Sequence, residues 1–218
     1  MKLPASAKRS TTPGSWGRCS SANWLCPVTA EQLGELLGLF RSRVEPLGVV
    51  VHQGDHAALA REFVAWAAES EAPVLIVADE VRARYPALCE SLAELGINQI
   101  APEDPGQLRD SALGLGIACA GIAETGSALM AEPTLADRSV GMLPRAQGIV
   151  IPTRALMPSL DEAAPILRSL ALAPGRNMVT LVTGPSRTAD IERVLTVGVQ
   201  GPGRIMILFA NDLEPEET

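Results

Sequence analysis

From Gly48 onward the chain alternates short apolar runs with longer stretches of helical period, and this alternation restricts the fold more than any other feature. Gly48–His52, Pro73–Ala78, Ile97–Ala101, Gly148–Pro152, Met178–Thr183 and Arg204–Ala210 read as strands. Asp55 is placed to cap a helix carrying Leu59, Phe63 and Trp66. A second helix bears Val81, Leu88, Leu92 and Leu95 and stops at Gly96. Pro105–Leu113, Ser159–Leu172 and Thr188–Val199 read as further helices, and Thr29 caps an earlier one with Leu33, Leu36, Leu37 and Phe40. Strands alternating with helices imply βαβ units. The expected fold is therefore α/β, a three-layer α/β/α arrangement around a mostly parallel sheet. Leu115–Ala120 and Ser127–Ala131 flank a turn, Gly121–Gly126, that is too short to hold a crossover helix. It joins an antiparallel pair or bends one long strand.

Composition narrows the class. Aromatic residues make up only 3% of the chain, which suits helix-covered parallel strands better than an antiparallel sandwich rich in aromatic pairs. The net charge of −7 argues against a non-specific nucleic-acid surface or an anionic-membrane surface, both of which need concentrated Lys and Arg. No apolar run approaches the ~20 residues that span a bilayer, and no signal-peptide core follows Met1. A cytoplasmic location is expected. Residues 1–28, rich in Ser, Thr, Pro, Gly and Ala, read as a flexible leader outside the core, and residues 29–218 as a single domain. The cysteines at 19, 26, 89 and 119 form no Cys-x-x-Cys pair. They read as free thiols, and no intrinsic iron–sulfur cluster, flavin or haem is expected, with no metal site. His52 and His56 are four apart, but Gly54 and the capping Asp55 intervene, which makes a poor metal pair.

Two polar segments carry the candidate chemistry. In Thr183-Gly-Pro-Ser-Arg-Thr188, Gly184 and Pro185 turn the chain after a strand. Ser186 and Thr188 are candidate helix N-caps, and Asp190 suits the first turn of the helix. Ile191, Val194, Leu195 and Gly198 would face the sheet. Arg187 offers a planar donor fork for a carboxylate or phosphate; in the plainer alternative it pairs with Asp190 or with solvent. In Gly121-Ile-Ala-Glu-Thr-Gly-Ser127, Glu124 can serve as general base or nucleophile, and Thr125 and Ser127 can donate to an oxyanion. Gly126 and Gly184 allow close backbone approach. Here the alternative is a turn whose hydroxyls satisfy their own backbone. Nucleophile-elbow, dinucleotide-binding and phosphate-loop motifs are absent from the sequence.

These same segments, together with Val197-Gly-Val-Gln-Gly-Pro202, closely resemble the signatures of the LUD-domain family of lactate utilisation proteins, the C type in particular. The resemblance runs from Thr29 to Asp212 and is strongest after Gly121. It implies a fold similar to the sugar-phosphate isomerase and CoA-transferase superfamily. It also implies association with iron–sulfur proteins that oxidise L-lactate to pyruvate. One position departs: the family usually has His where this chain has Gln200, and Gln cannot exchange a proton near neutral pH.

The expectation is a non-redox subunit or accessory protein of an iron–sulfur lactate-oxidising system, binding a small anion in one shallow polar site. Arg187 and the N–H groups after Gly184 would hold the anion, and Glu124 would face its other end. The runner-up is an independent transferase- or isomerase-type enzyme that acts through Glu124 on a small phosphorylated or CoA-linked substrate. A third reading is a ligand-binding regulatory module.

Overall fold

A computed structural model describes residues 29–69, 74–102, 113–132, 134–172, 178–189, 195–197 and 201–215. The leader 1–28, most of the expected helix from 105, Asp190 and Gln200 lie outside these residues, and Leu113 of that expected helix opens a strand instead.

Many of the elements fall where the helical and strand periods put them. Helix α1 (Ala30–Val44) starts at Thr29, whose hydroxyl accepts from the Gln32 N–H while the Gln32 side chain answers the Thr29 N–H. This reciprocal box satisfies two of the donors a helix start leaves open. A short 3-10 turn, Glu45–Leu47, leads to strand β1 (Val50–Gly54). Asp55 caps α2 (His56–Ala68) through the Ala58 N–H at 2.8 Å.

Strand β2 (Leu75–Val77) leads into α3 (Asp79–Arg84) and α4 (Pro86–Glu94). The sequence reads as one helix there, but Pro86 breaks it. Its ring pushes the preceding residue out of helical space, and Tyr85 sits at φ −136°, ψ 55°. Then come β3 (Gln99–Ile100), β4 (Leu113–Ile117), β5 (Ala120–Ile122) and β6 (Ser127–Ala131). Helix α5 (Leu135–Met142) follows, capped by Thr134 and Asp137. The apolar pattern does not predict this short helix. β7 (Ala146–Pro152), β8 (Leu156–Met157), α6 (Leu160–Leu172) and β9 (Val179–Val182) precede a pair, β10 (Arg187–Ala189) and β11 (Leu195–Val197). β12 (Arg204–Ala210) is the last strand.

Six strands form a sheet in the order β1-β12-β7-β4-β2-β3, and every pairing in it is parallel. Central strand β12 is apolar on both faces, as a strand covered on both sides must be. Met206 and Leu208 pack with Leu59, Phe63 and Trp66 of α2 and with Leu88 and Leu92 of α4. On the other face, Ile205, Ile207 and Phe209 pack against Leu37, Phe40 and Val44 of α1. The Phe40 and Phe209 rings meet edge to face at 5.1 Å. Each such fully buried side chain contributes about 1.5–3 kcal/mol.

A second sheet, β8-β5-β6-β9, shares that face with α1. Its far side carries Ala163, Ile166 and Leu170 of α6. The turn at Gly121–Gly126 thus joins an antiparallel pair, β5 with β6, and β9 leaves the main sheet to pair antiparallel with β6. The α/β expectation holds, with one face covered by a helix plus a small sheet instead of helices alone.

One expected element is replaced. The described residues of Thr188–Val199 are strand and not helix: Arg187, Thr188 and Ala189 pair antiparallel with Val197, Thr196 and Leu195. Thr188, Thr196 and Val197 are β-branched, which disfavours a helix and favours a strand. Thr188 is thus a strand residue and no N-cap, and no helix starts after Ser186; Leu195 of the expected stripe lies in a strand, and Ile191, Val194 and Gly198 lie outside the described residues.

Candidate functional site

The two polar segments expected to form a site do come together, at the amino ends of β1 and β12. Gly126 is in left-handed backbone at φ 69° and lies so close to α1 that a Cβ there would meet Val44 Cγ1 at 2.5 Å and Arg43 Cβ at 2.7 Å. Gly184 lies against Leu47, where a Cβ would stand 3.2 Å from Leu47 Cδ1. A chain of hydroxyls links the segments: Thr125 Oγ1 to Ser127 Oγ at 2.8 Å, and Ser127 Oγ to Thr183 Oγ1 at 2.8 Å. Ser127 is buried, so its hydroxyl partners are hydroxyls of other residues, not its own backbone.

With Asp190 outside the described residues, Arg187 has a partner that neither expectation named. Its Nη2 donates to the Leu47 carbonyl at 2.5 Å, at the end of the 3-10 turn that continues α1, where unpaired carbonyls favour a cation. The Ser186 N–H donates to the Pro202 carbonyl at 2.9 Å, and Gly201 lies against Ser186. The Gly184–Thr188 and Gly201–Gly203 segments are therefore neighbours and not the opposite ends of a helix, which removes the helix N-terminus expected to hold an anion. Pro185 is half-buried beside them. Glu124 is exposed, its N–H donates to the Pro158 carbonyl at 2.9 Å, and its carboxylate has no partner among the described residues.

A second polar group, missed in the sequence, gathers at the opposite, carboxyl edge of the same sheet. Parallel α/β sheets present their strand ends and helix starts there, and ligands favour that edge. The four residues after β12, Asn211 to Glu214, receive side chains from the ends of β1 and β7 and from the break between α3 and α4. Gln53 of β1 and Thr153 after β7 both donate to Asn211 Oδ1 at 3.0 Å. Asp212 Oδ2 accepts from the His56 N–H at 3.2 Å and lies 2.6 Å from His56 Nδ1. The buried Tyr85, set by the break before Pro86, donates its hydroxyl to Asp212 Oδ1. Arg154 pairs with the Glu214 carboxylate at 3.2 Å, and Arg84 donates to the Glu214 carbonyl at 3.4 Å.

The electrostatics are mutually consistent. Partial burial works to raise the Asp212 carboxyl pKa, but hydrogen bonds from Tyr85 and from the His56 ring and backbone outweigh it and hold it below the usual range. Burial, then the bond to Asp212 and its negative charge, push the Tyr85 phenol up, so it stays a donor. His52 turns elsewhere, to Glu62 at 3.4 Å, so the two histidines serve different partners. Among the described residues no group of three or more His, Cys, Asp or Glu side chains is arranged to hold a metal. No described helix is long and apolar enough to cross a membrane.

The model of the LUD domain matches residues 91–210, more than half of the chain. The chain belongs to the LUD-domain family. It is 34% identical over 94 residues to "Lactate utilization protein C 1" of Bacillus mycoides, covering 42% of this chain and 40% of that protein. The "Lactate utilization protein C" of Bacillus subtilis is 32% identical, over 42% of this chain and 39% of its own. An uncharacterised Escherichia coli protein, YkgG, is 29% identical over 50% of this chain and 48% of its own length. This LUD-domain chain therefore spans less than half of the length of these curated relatives. A crystal structure of a DUF162-family protein from Deinococcus radiodurans superposes with a TM-score of 0.59 at 18% identity, over 85% of this chain and 100% of that one. That likeness is one of fold.

Proposed function

We propose that this LUD-domain protein is a non-redox component of lactate utilisation, acting in the cytoplasm beside iron–sulfur proteins that oxidise L-lactate to pyruvate. The observation that carries the reading is the LUD-domain match over 91–210, joined to relatives named for lactate utilisation. In this reading the segments Gly121–Ser127 and Thr183–Arg187 form one surface over the last turn of α1. Glu124 and Arg187 are its exposed charges, and the Thr125–Ser127–Thr183 hydroxyl chain is its fixed floor. The surface meets a small anion or the partner protein itself. Gln200, in place of the family's usual His, contributes hydrogen bonds and no proton transfer.

Deleting the gene and scoring growth on L-lactate as sole carbon source tests the role. Affinity capture from native extract, with lactate-dependent dye reduction by the captured material, tests the partners. Normal growth of the deletion strain on lactate would remove the reading. Dye reduction by the purified chain alone would replace it with that of an independent enzyme.

A further inference from the structure

A small polar cavity lies where the main sheet changes direction. The chain leaves β2 toward β3, at one edge, but leaves β4 toward β7 and β12, on the other side. In open α/β sheets, ligands bind in the crevice between the carboxyl ends of two such strands. Here Ala78, directly after β2, and Gly116 and Ile117, at the end of β4, line the cavity, and Val140 and Gly141 of α5 close it on one side. Its free volume is about 10 Å³, the space of one water-sized particle.

Two buried side chains turn polar atoms to this space. Glu132 is only 8% exposed, and its Oε2 accepts from the Thr180 hydroxyl at 3.2 Å. A Cβ on Gly141 would stand 2.8 Å from Glu132 Oε1 and 3.3 Å from Gln147 Nε2, so the glycine keeps the gap between them open. Gln147 is 2% exposed, and its side-chain amide has no hydrogen-bond partner among the described residues. A buried polar group left without a partner costs about 1–3 kcal/mol. An amide that nothing fixes can turn either its oxygen or its nitrogen to an occupant.

The charge of the walls selects that occupant. Glu80 and Asp137 line the cavity together with Glu132. Arg84 pairs with Glu80 at 3.8 Å, and Arg138 donates its Nε to the Glu132 backbone carbonyl at 3.4 Å. Three carboxylates repel an anion. A cation, in contrast, relieves the buried Glu132. Burial pushes its carboxyl pKa up against the Thr180 bond, with Asp137 adding to the rise and Arg138 opposing it. No group of three His, Cys, Asp or Glu among the described residues is arranged to hold a metal. Two acceptors suit a cation that brings its own N–H donors better than a metal ion that needs a full oxygen shell.

We propose that the crevice between β2 and β4 binds a single ammonium group, which donates to Glu132 Oε1 and to the Gln147 amide oxygen in the space that Gly141 leaves open. The site does not depend on the lactate role. Calorimetric titration of the full chain with ammonium chloride, against sodium chloride at equal ionic strength, tests it. Saturable binding in the millimolar range is expected. Glu132→Gln keeps the shape of the side chain and is expected to weaken binding about tenfold or more. It should melt no lower than the wild type, because it removes a buried charge. A proton and the ammonium group compete for Glu132 Oε1, so affinity is expected to fall about tenfold per pH unit once the carboxyl is protonated. Gly141→Ala fills the gap and is expected to abolish the response. If that variant folds poorly by circular dichroism, Gln147→Met, which removes the second acceptor at similar length, replaces it and is expected to weaken binding. Binding of methylammonium as well as ammonium assigns the head group of a larger primary amine, and binding of ammonium alone assigns the free ion. The absence of saturable binding by either overturns the site, as does an equal response to potassium, or full affinity in folded Glu132→Gln.

Discussion

The amino and carboxyl edges of the parallel sheet are both polar, yet they are built in opposite ways. At the amino edge the polar residues come in two contiguous stretches rich in Gly, Ser and Thr. Their glycines serve close packing: Gly126 against Arg43 and Val44, Gly184 against Leu47. Arg187 spends its contact on a backbone carbonyl. At the carboxyl edge the side chains come from four separate stretches, 53–56, 84–85, 153–154 and 211–214. His56 and Asp212 are 156 residues apart, and Tyr85 and Asp212 are 127 apart. A dense local motif therefore marks, first of all, where backbone must pass close to backbone. The titratable convergence is assembled by strand order, because β1, β12 and β7 lie side by side and deliver their ends to one place.

The largest effect expected from this contrast is at Gly126. An Ala there must adopt left-handed backbone and also push into Val44 and Arg43. About 1–2 kcal/mol for the first and 1–3 for the second predicts a loss of about 3 kcal/mol. Urea unfolding of Gly126→Ala reads it directly, and a change below 1 kcal/mol would show that the amino-edge turn is not held by packing.

Next comes Asp212→Ala. It leaves the buried Tyr85 hydroxyl without its acceptor and His56 without its anchor, at a cost of about 2 kcal/mol. This cost is tied to pH. The folded carboxyl holds its proton less tightly than the unfolded one, so the unfolded chain binds more protons in the acid range. The stabilisation is complete above the usual Asp value of about 3.9 and is lost as pH falls through the lower, folded value. Melting curves of wild type and Asp212→Ala should thus be well separated at neutral pH and converge in strong acid. Parallel curves at all pH values would mean that the network at Asp212 is not ionic.

Much of the scaffold was legible in advance for a physical reason. β12 shows as seven consecutive residues, Arg204–Ala210, with apolar side chains on both faces, and Asp55 and Thr29 stand where an N-cap must. The helix expected over Thr188–Val199 failed because its period rested on a few apolar positions, while Thr188, Thr196 and Val197 prefer extended backbone. α5 was missed although Thr134 and Asp137 form a capping box, since its apolar stripe is short. Of the site, contiguity was legible and convergence was not. His56 looked like half of a weak metal pair, and nothing local to it points to Asp212. The one usable signal was positional: Asn211 and Asp212 directly follow a doubly buried strand, where ligands of parallel sheets gather.

The smallest effects are expected at Arg187 and Glu124, and their smallness is what makes them informative. Arg187 is exposed, and among the described residues its side chain donates to the Leu47 carbonyl, which can take water in its place. Arg187→Ala should therefore cost no more than about 1 kcal/mol. Glu124 is exposed with no side-chain partner among the described residues, so Glu124→Gln should leave thermal stability within about 0.5 kcal/mol. Neither change is large enough to deplete the folded protein, so any loss of growth on lactate in these strains reports on recognition at the amino edge. If both variants melt like the wild type and abolish growth, the exposed charges act on a partner or an anion, and the amino edge is functional despite its packing role. If both melt normally and grow normally, that edge is scaffold alone. Function then passes to the carboxyl edge, where His56→Gln and Arg154→Ala in the same growth assay show whether the convergent side chains carry it.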